Sequence, residues 1–148
     1  MMTVFVRKAK ESDLLKVQRL LAKAGVREEG IEDHLEHFLV VVDDRDEMIG
    51  TIGMEKYGAY ALFRSFVIAA NAWTVERSLH FLSIALQYAK EQKIEAIYLC
   101  AQGSNRLFQQ LGFREINSDD VPSNIKESAH FKNRRKDASV WMYEFTSL

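Results

Sequence analysis

YALFRSFVIAANAWTVERSLHFLSIALQYA, residues Tyr60 to Ala89, carries two hydrophobic periods in succession. From Ala61 to Ala70 only Arg64 and Ser65 interrupt an apolar run, which suits a strand covered on both faces. After a short polar break, Val75, Leu79, Leu82, Leu86 and Ala89 recur three or four residues apart. They line one side of a helix that packs on the strand just completed. A helix start leaves backbone N–H groups unpaired and its dipole favours negative charge, so the turn between the two elements is a natural phosphate site.

Upstream, Thr3 to Arg7 is β-branched and aromatic and reads as a first strand; Ser12 and Asp13 then cap a helix with Leu14, Val17, Leu20, Leu21 and Ala24 on its apolar side, ended by Gly25. Ile31, Leu35 and Phe38 predict a short helix running into a strand over Phe38 to Val42. Asp43 to Asp46 forms a hairpin tip, Met48 to Glu55 the next strand, and a second turn near Gly58 leads into the central strand, giving a three-stranded antiparallel meander. Downstream of the long helix, Ala96 to Ala101 is a strand that the crossover makes parallel to the central one. Ser104 to Phe113 has Leu107, Phe108 and Leu111 at helical spacing and Gly112 as a stop. The expected class is α/β, with a mixed, mostly antiparallel central sheet flanked by helices.

A chain of 148 residues with 47% hydrophobic content fits one folded domain spanning residues 1–148. With 20 basic and 21 acidic residues the net charge is −1, which gives no overall drive toward nucleic acid or membrane. Cys100 is the single cysteine, which excludes an internal disulfide and a thiolate-rich metal site. His34 and His37 lie three apart, but no third ligand sits nearby in sequence; they read as solvated or locally hydrogen-bonded histidines, and no metal is expected. The N-terminus lacks an apolar stretch of signal-peptide length and no run approaches membrane-spanning length, so a cytoplasmic location is expected. Pro122 is the single proline and the seven glycines are scattered, marking no linker or repeat.

Arg64 to Leu82, RSFVIAANAWTVERSLHFL, resembles the coenzyme-binding motif of the GCN5-related N-acetyltransferases (GNAT), where a strand ending in Val-x-Pro meets an Arg-Gly-x-Gly-x-Gly loop and a helix. The resemblance implies acetyl-CoA as cosubstrate, with the backbone of Val67, Ile68 and Ala69 pairing along the pantetheine arm and the loop residues Thr74, Val75, Arg77 and Ser78 at the pyrophosphate. Trp73, Thr74, Glu76 and Ser78 stand where the family has arginine and three glycines, so the cradle is altered. Glu76 places a carboxylate near the helix start and disfavours a phosphate there by roughly 1 kcal/mol, Arg77 is the one cation set to offset it, and Thr74 serves as N-cap.

SNRLFQQLGF resembles the second signature of the family, an Asn-rich turn and a helix closing in Leu-Tyr-x-x-Leu-Gly-Phe, with Leu107, Leu111, Gly112 and Phe113 matching. Asn105 is implied as a coenzyme contact, although turn formation explains it as well. Phe108 occupies the place of the tyrosine that protonates the departing thiolate in many members; it has no proton to give, so another residue or water must supply one. Val121, Pro122, Ile125, Ser128, Phe131, Ala138, Val140 and Met142 resemble the C-terminal third of an N-acetylglutamate-synthase-like branch that includes acetyltransferases of arsenic-resistance loci, and the resemblance then covers nearly the whole chain. Lys132, Arg134, Arg135 and Lys136 just before the last strand form either a solvated loop or an anion site.

Gly53 to Gly58, GMEKYG, resembles a Gly-Leu-Glu-x-Tyr-Gly segment of the same branch, which implies Glu55 as the base that deprotonates the acceptor amine and Tyr57 as a substrate contact. Arg64, a guanidinium inside an apolar strand, is set to grip a substrate carboxylate. The alternative is an internal ion pair between Glu55 and Arg64, which removes both from the catalytic list. The resulting expectation is an acetyl-CoA-dependent N-acetyltransferase acting on a small amine or amino acid, with a homodimer possible. The competing expectation is a relative that keeps the fold as a binding or interaction module without turnover.

Overall fold

A computed structural model describes residues 3–103 and 106–146 of the chain. The stretch from Tyr60 onward forms the strand β4 and the helix α2, and the rest is best followed from them, in chain order. Strand β1 (Val4–Lys8) leads through a 3-10 turn to helix α1 (Leu14–Lys23), and strands β2 (Phe38–Asp43), β3 (Met48–Tyr57) and β4 (Tyr60–Ile68) form the expected meander. Helix α2 (Val75–Glu91) crosses to strand β5 (Ala96–Ala101), followed by helix α3 (Arg106–Leu111), strand β6 (Arg114–Ile116), two single-turn helices α4 (Ser123–Lys126) and α5 (Ala129–Lys132), and strand β7 (Ser139–Glu144). The seven-stranded sheet has the order β1-β2-β3-β4-β5-β7-β6 and only the β4–β5 pair is parallel, so the expected class and the crossover are both observed.

Helices α2 and α3 cover one face of the sheet, where Phe81, Leu82, Ala85 and Leu86 pack on Leu39, Val41, Phe63 and Ile97. The other face carries two separate apolar clusters. Val17 and Leu21 of α1 pack on Phe38, Val40 and Val67 at one end; Ile125 and Phe131 pack on Leu62, Tyr98 and Met142 at the other. The interval between those clusters is polar, and the candidate site lies there. Gly53 is required beside it, because a Cβ at that position would land on the Phe38 ring.

Several boundaries differ from the sequence reading. The short helix expected around Ile31 to Phe38 is instead two 3-10 turns, Ile31–Asp33 and Leu35–His37, separated at His34, whose φ of −126° is not helical. The segment from Ser123 to Lys132, where the resemblance implies one helix, is two single turns divided at Ser128, which is extended and accepts a hydrogen bond from the N–H of Phe131 to start the second. Strand β6, three residues long, carries no periodic signal of its own and exists through its pairing with β7. Asp13 makes no side-chain bond to α1; its carboxylate takes the Lys10 N–H at 2.7 Å and both guanidinium nitrogens of Arg7 at 2.7 and 3.1 Å, locking β1 to the helix start.

Two irregularities in β4 position the site. Thr51 pairs with Val67 and Gly53 with Arg64, so β4 advances three residues while β3 advances two. The extra residue is a β-bulge centred on Ser65, which sits at φ 60°. The bulge reverses the strand's alternation: Arg64 and Val67 both face the α1 side, whereas Phe66 faces Phe81 of α2. The second irregularity is a divergence. Strand β4 pairs with β5 only through Tyr60–Ala96, Ala61–Ile97 and Leu62–Tyr98, although it continues to Ile68. From Phe63 onward its β5-facing edge has no strand partner among the described residues.

Candidate functional site

The polar interval opens beside this divergence and is built on Glu55 and Arg64. Both are buried, at 3% and 4% exposure, and they form an ion pair with Arg64 Nη1 2.8 Å from Glu55 Oε2. The internal pair weighed from the sequence is therefore the one observed. Arg64 also donates to the Glu29 carbonyl at 2.9 Å and to Ser65 Oγ at 3.0 Å, so its guanidinium is engaged on three sides and is not free to grip a substrate carboxylate as expected. Gly30, at φ 79°, turns the chain that brings the Glu29 carbonyl down to it.

The other carboxylate oxygen of Glu55 accepts a short hydrogen bond from the Tyr57 hydroxyl and lies 3.7 Å from His34 Nε2. Burial alone would raise the Glu55 carboxyl, but the bonds from Tyr57 and Arg64 outweigh it and hold the group below its usual range. Glu55 is thus a stable anion and a weaker base than the sequence reading expected. Tyr57 is pushed up to about 12 by burial and by its bond to Glu55, so it stays protonated and keeps donating.

His130 of α5 closes the cluster. Burial, with Arg64 and Arg27 nearby, pushes it down to about 4, so it is neutral at physiological pH. Arg27 donates to its carbonyl at 2.9 Å and tethers α5 to the segment after α1. Cys100, on the stretch of β5 beyond its pairing with β4, is half-buried, and burial pushes its thiol up to about 11. His34, His130 and Arg27 carried no sequence signal for this site, because they come from three segments joined only by folding. His37 lies apart from them, its Nδ1 2.7 Å from the Tyr88 hydroxyl. Among the described residues no cluster of potential metal ligands occurs.

On the coenzyme side, antiparallel alternation turns the backbone groups of Val67 and Ala69 toward β3, and the Ala69 N–H donates to Ile49 at 2.7 Å. Of the three expected residues, Ile68 is the one whose N–H and C=O point to the open edge. Thr74 is the N-cap of α2, its hydroxyl accepting from the Arg77 N–H at 3.0 Å. The Arg77 guanidinium folds back onto the Ala72 carbonyl at 2.6 Å, away from the role of charge offset at the helix tip. Val75 is exposed, whereas Ser78 is fully buried and its hydroxyl has no partner among the described residues. Glu76 borders a small apolar pocket of about 250 Å³ with Val4, Val6 and Phe81 on the α2 side. Phe108 packs edge-on against Phe113, and Asn105 lies outside the described residues. Lys132 and Lys136 are exposed, Arg135 pairs with Asp137, and Arg134 stacks over the Phe131 ring with its centre 4.1 Å away.

A mixed sheet whose parallel strands part halfway, with a helix starting beyond the opening, is the architecture of the GNAT acetyltransferases, and this chain has that fold. N-acetylglutamate synthase from Neisseria gonorrhoeae, solved with coenzyme A and N-acetyl-glutamate, superposes with a TM-score of 0.81 at 15% identity over 98% of this chain. The chain spans about a third of that enzyme, 36% of its length. Rv2747 from Mycobacterium tuberculosis, solved in complex with CoA and NLQ, superposes with a TM-score of 0.79 at 14% identity over 96% of this chain and 99% of its own. In sequence, the chain is 28% identical over 141 residues to the uncharacterized protein YwlB of Bacillus subtilis, covering 93% of this chain and 94% of that one. No family model matches the chain. No helix among the described residues is long and apolar enough to cross a membrane.

Proposed function

We propose that the protein is an acetyl-CoA-dependent N-acetyltransferase acting on a small amine or amino acid, of the N-acetylglutamate-synthase-like branch. The observation that carries the reading is the edge of β4 from Phe63 to Ile68, without a strand partner among the described residues, next to a buried polar cluster on the α1 side of the sheet. A pantetheine arm is an extended chain of amides, and Ile68 offers it one donor and one acceptor in strand geometry. The thioester then lies beside the bulge, with the acceptor reaching it from the cluster. The coenzyme-bound relatives of the same fold support this placement.

In this reading the acceptor nitrogen attacks the thioester carbonyl carbon directly, the C–S bond breaks, and the acetyl group ends on nitrogen. An ammonium acceptor sheds one proton before attack and one from the nitrogen afterwards; one of the two is balanced by the thiolate. Glu55, held as an anion by Arg64 and Tyr57, adds negative potential to the acceptor side without contacting the amine, and the proton of the ammonium leaves to solvent at the His34 rim. Phe108 has no proton to give, so the thiolate, a tolerable leaving group with a pKa near about 8.5, takes its proton from solvent.

The test is a titration of acetyl-CoA and CoA followed by thermal unfolding, then release of free thiol from acetyl-CoA over a panel of amines and amino acids. Ligand at a hundredfold over its dissociation constant adds about 2.7 kcal/mol to stability. No shift at millimolar coenzyme sinks the reading.

A further inference from the structure

Ser65 combines a strained backbone with an unused donor. Its φ of 60° lies in the left-handed region, which serine enters only where its surroundings hold it, and the residue is buried, 5% exposed. Its hydroxyl oxygen accepts a hydrogen bond from Arg64 Nε at 3.0 Å, so its own proton is directed away from that guanidinium. Among the described residues this hydroxyl donates to no acceptor. A buried donor without an acceptor is costly, and packing of the sheet does not require a hydroxyl here.

The bulge sets where this donor stands. Leu62 is the last residue of β4 paired with β5, and Ser65 lies beyond it, on the open part of the edge. The bond to Arg64, whose guanidinium reaches Glu55, keeps the hydroxyl on the α1 side of the sheet, the side from which the acceptor approaches. Arg64 is held in turn by Glu55 and by the Glu29 carbonyl. A cationic N–H donated into Oγ draws charge from that oxygen and makes its O–H a stronger donor.

We propose that the Ser65 hydroxyl is a catalytic donor that binds the thioester carbonyl oxygen of acetyl-CoA and stabilises the negative charge developing there during transfer. This rests on the acetyl-CoA reading above and adds to it a side-chain donor at the reacting carbonyl. As the amine lone pair adds to the carbonyl carbon, the π pair of the C=O bond moves onto oxygen, where the Ser65 O–H meets it. The pair returns to the C–O bond as the C–S bond breaks and its electrons leave on sulfur. Ser65 keeps its proton throughout, so the proton balance of the reaction is unchanged. Arg64 acts through Ser65 as a positioning residue.

Infrared difference spectra of acetyl-CoA with and without carbon-13 at the acetyl carbonyl isolate that one stretch in the bound state, with no acceptor present. In the wild type the stretch is expected at lower frequency than in solution, and in Ser65→Ala at higher frequency than in the wild type. Free CoA, which lacks the acetyl carbonyl, should bind both proteins equally by calorimetry. Ser65→Gly removes the same hydroxyl and adopts φ 60° without strain, so its spectrum should match that of Ser65→Ala. With any amine of the panel that the wild type turns over, kcat should fall about hundredfold in both variants while KM for acetyl-CoA holds. Equal carbonyl frequencies in wild type and Ser65→Ala overturn the assignment, as does a change seen in Ser65→Ala and absent in Ser65→Gly, which would trace it to the backbone; the acetyltransferase reading stands in either case. Acetyl-CoA that fails to bind the wild type defeats that reading, and this assignment with it.

Discussion

Replacing Arg64 by methionine removes the cation of a fully buried pair while keeping most of the side chain's volume. Arg64 makes three hydrogen bonds, to Glu55, Glu29 and Ser65, and after the change Glu55 keeps Tyr57 as its hydrogen-bond donor. Leaving one partner of such a pair uncompensated costs about 3–5 kcal/mol. At roughly 2–4 °C per kcal/mol for a chain of this size, the melting temperature should fall by roughly 6–20 °C. Adding Glu55→Gln to Arg64→Met removes the stranded charge, so the double variant should be more stable than Arg64→Met alone, with a coupling of about 1–3 kcal/mol in the double-mutant cycle.

The pH dependence separates this cause from simple loss of packing. In the wild type the folded-state Glu55 carboxyl lies below its ordinary 4.5, so its contribution is present above that value and fades as pH falls through the lowered one. In Arg64→Met burial dominates and the carboxyl rises instead; stability then falls as pH climbs above the ordinary value, and the deficit against wild type narrows as pH is lowered. Urea unfolding of the four proteins between about pH 5 and pH 8 measures all of this. A loss under about 1 kcal/mol, or a deficit that does not change with pH, would refute the claim that an unpaired buried carboxylate is what Arg64 prevents.

Two further predictions concern the edges of the site. Thr74→Ala should cost about 1 kcal/mol through loss of the α2 cap, and Thr74→Gly only a few tenths. Because glycine also frees the Arg77 N–H, CoA should bind Thr74→Gly more tightly than wild type; an unchanged dissociation constant shows that the hydroxyl never competed. His130, held near about 4 against an ordinary 6.5, makes the folded protein bind fewer protons than the unfolded one, so stability should fall by up to about 3 kcal/mol as pH drops through that window. His130→Gln should flatten the slope in urea midpoints, and a slope equal to wild type's would place its cause elsewhere.

The parts of the fold legible in the sequence are those where one period runs long enough to be decisive. The change from the apolar run of β4 to the three-and-four spacing of α2 located both elements, and Thr74 was readable as the cap between them because its hydroxyl needs only local geometry. The turns at Ile31–Asp33 and Leu35–His37 were misread as one helix because their apolar residues keep helical spacing while the backbone at His34 does not. For the site, the Glu55–Arg64 pair was one of two open alternatives. Choosing it required the register, which places Glu55 opposite Leu62 and Gly53 opposite Arg64, a diagonal on one face. His34, Arg27 and His130 were invisible because their neighbourhood is made by packing alone.

Arg64 and Ser65 are the only polar residues in a strand that is otherwise apolar, and they stand where its alternation reverses. A non-glycine residue at φ 60° costs about 1–3 kcal/mol and persists where its surroundings fix it. Here the fixing contacts are identifiable: Arg64 Nε holds the Ser65 hydroxyl, and the same guanidinium is anchored by Glu55 and by the Glu29 carbonyl. The buried ion pair therefore does structural work that a pair of aliphatic side chains of equal volume could not, since it locks the bulge. The bulge in turn lets Arg64 and Val67 share the α1 face while Phe66 seals the α2 face. Without it, Val67 would turn toward α2, and the edge presented to β5 at the end of the strand would shift by one residue, taking Ile68 out of line with the opening. The residues that seemed from sequence to be catalytic groups act first as the clamp that sets where the open edge begins.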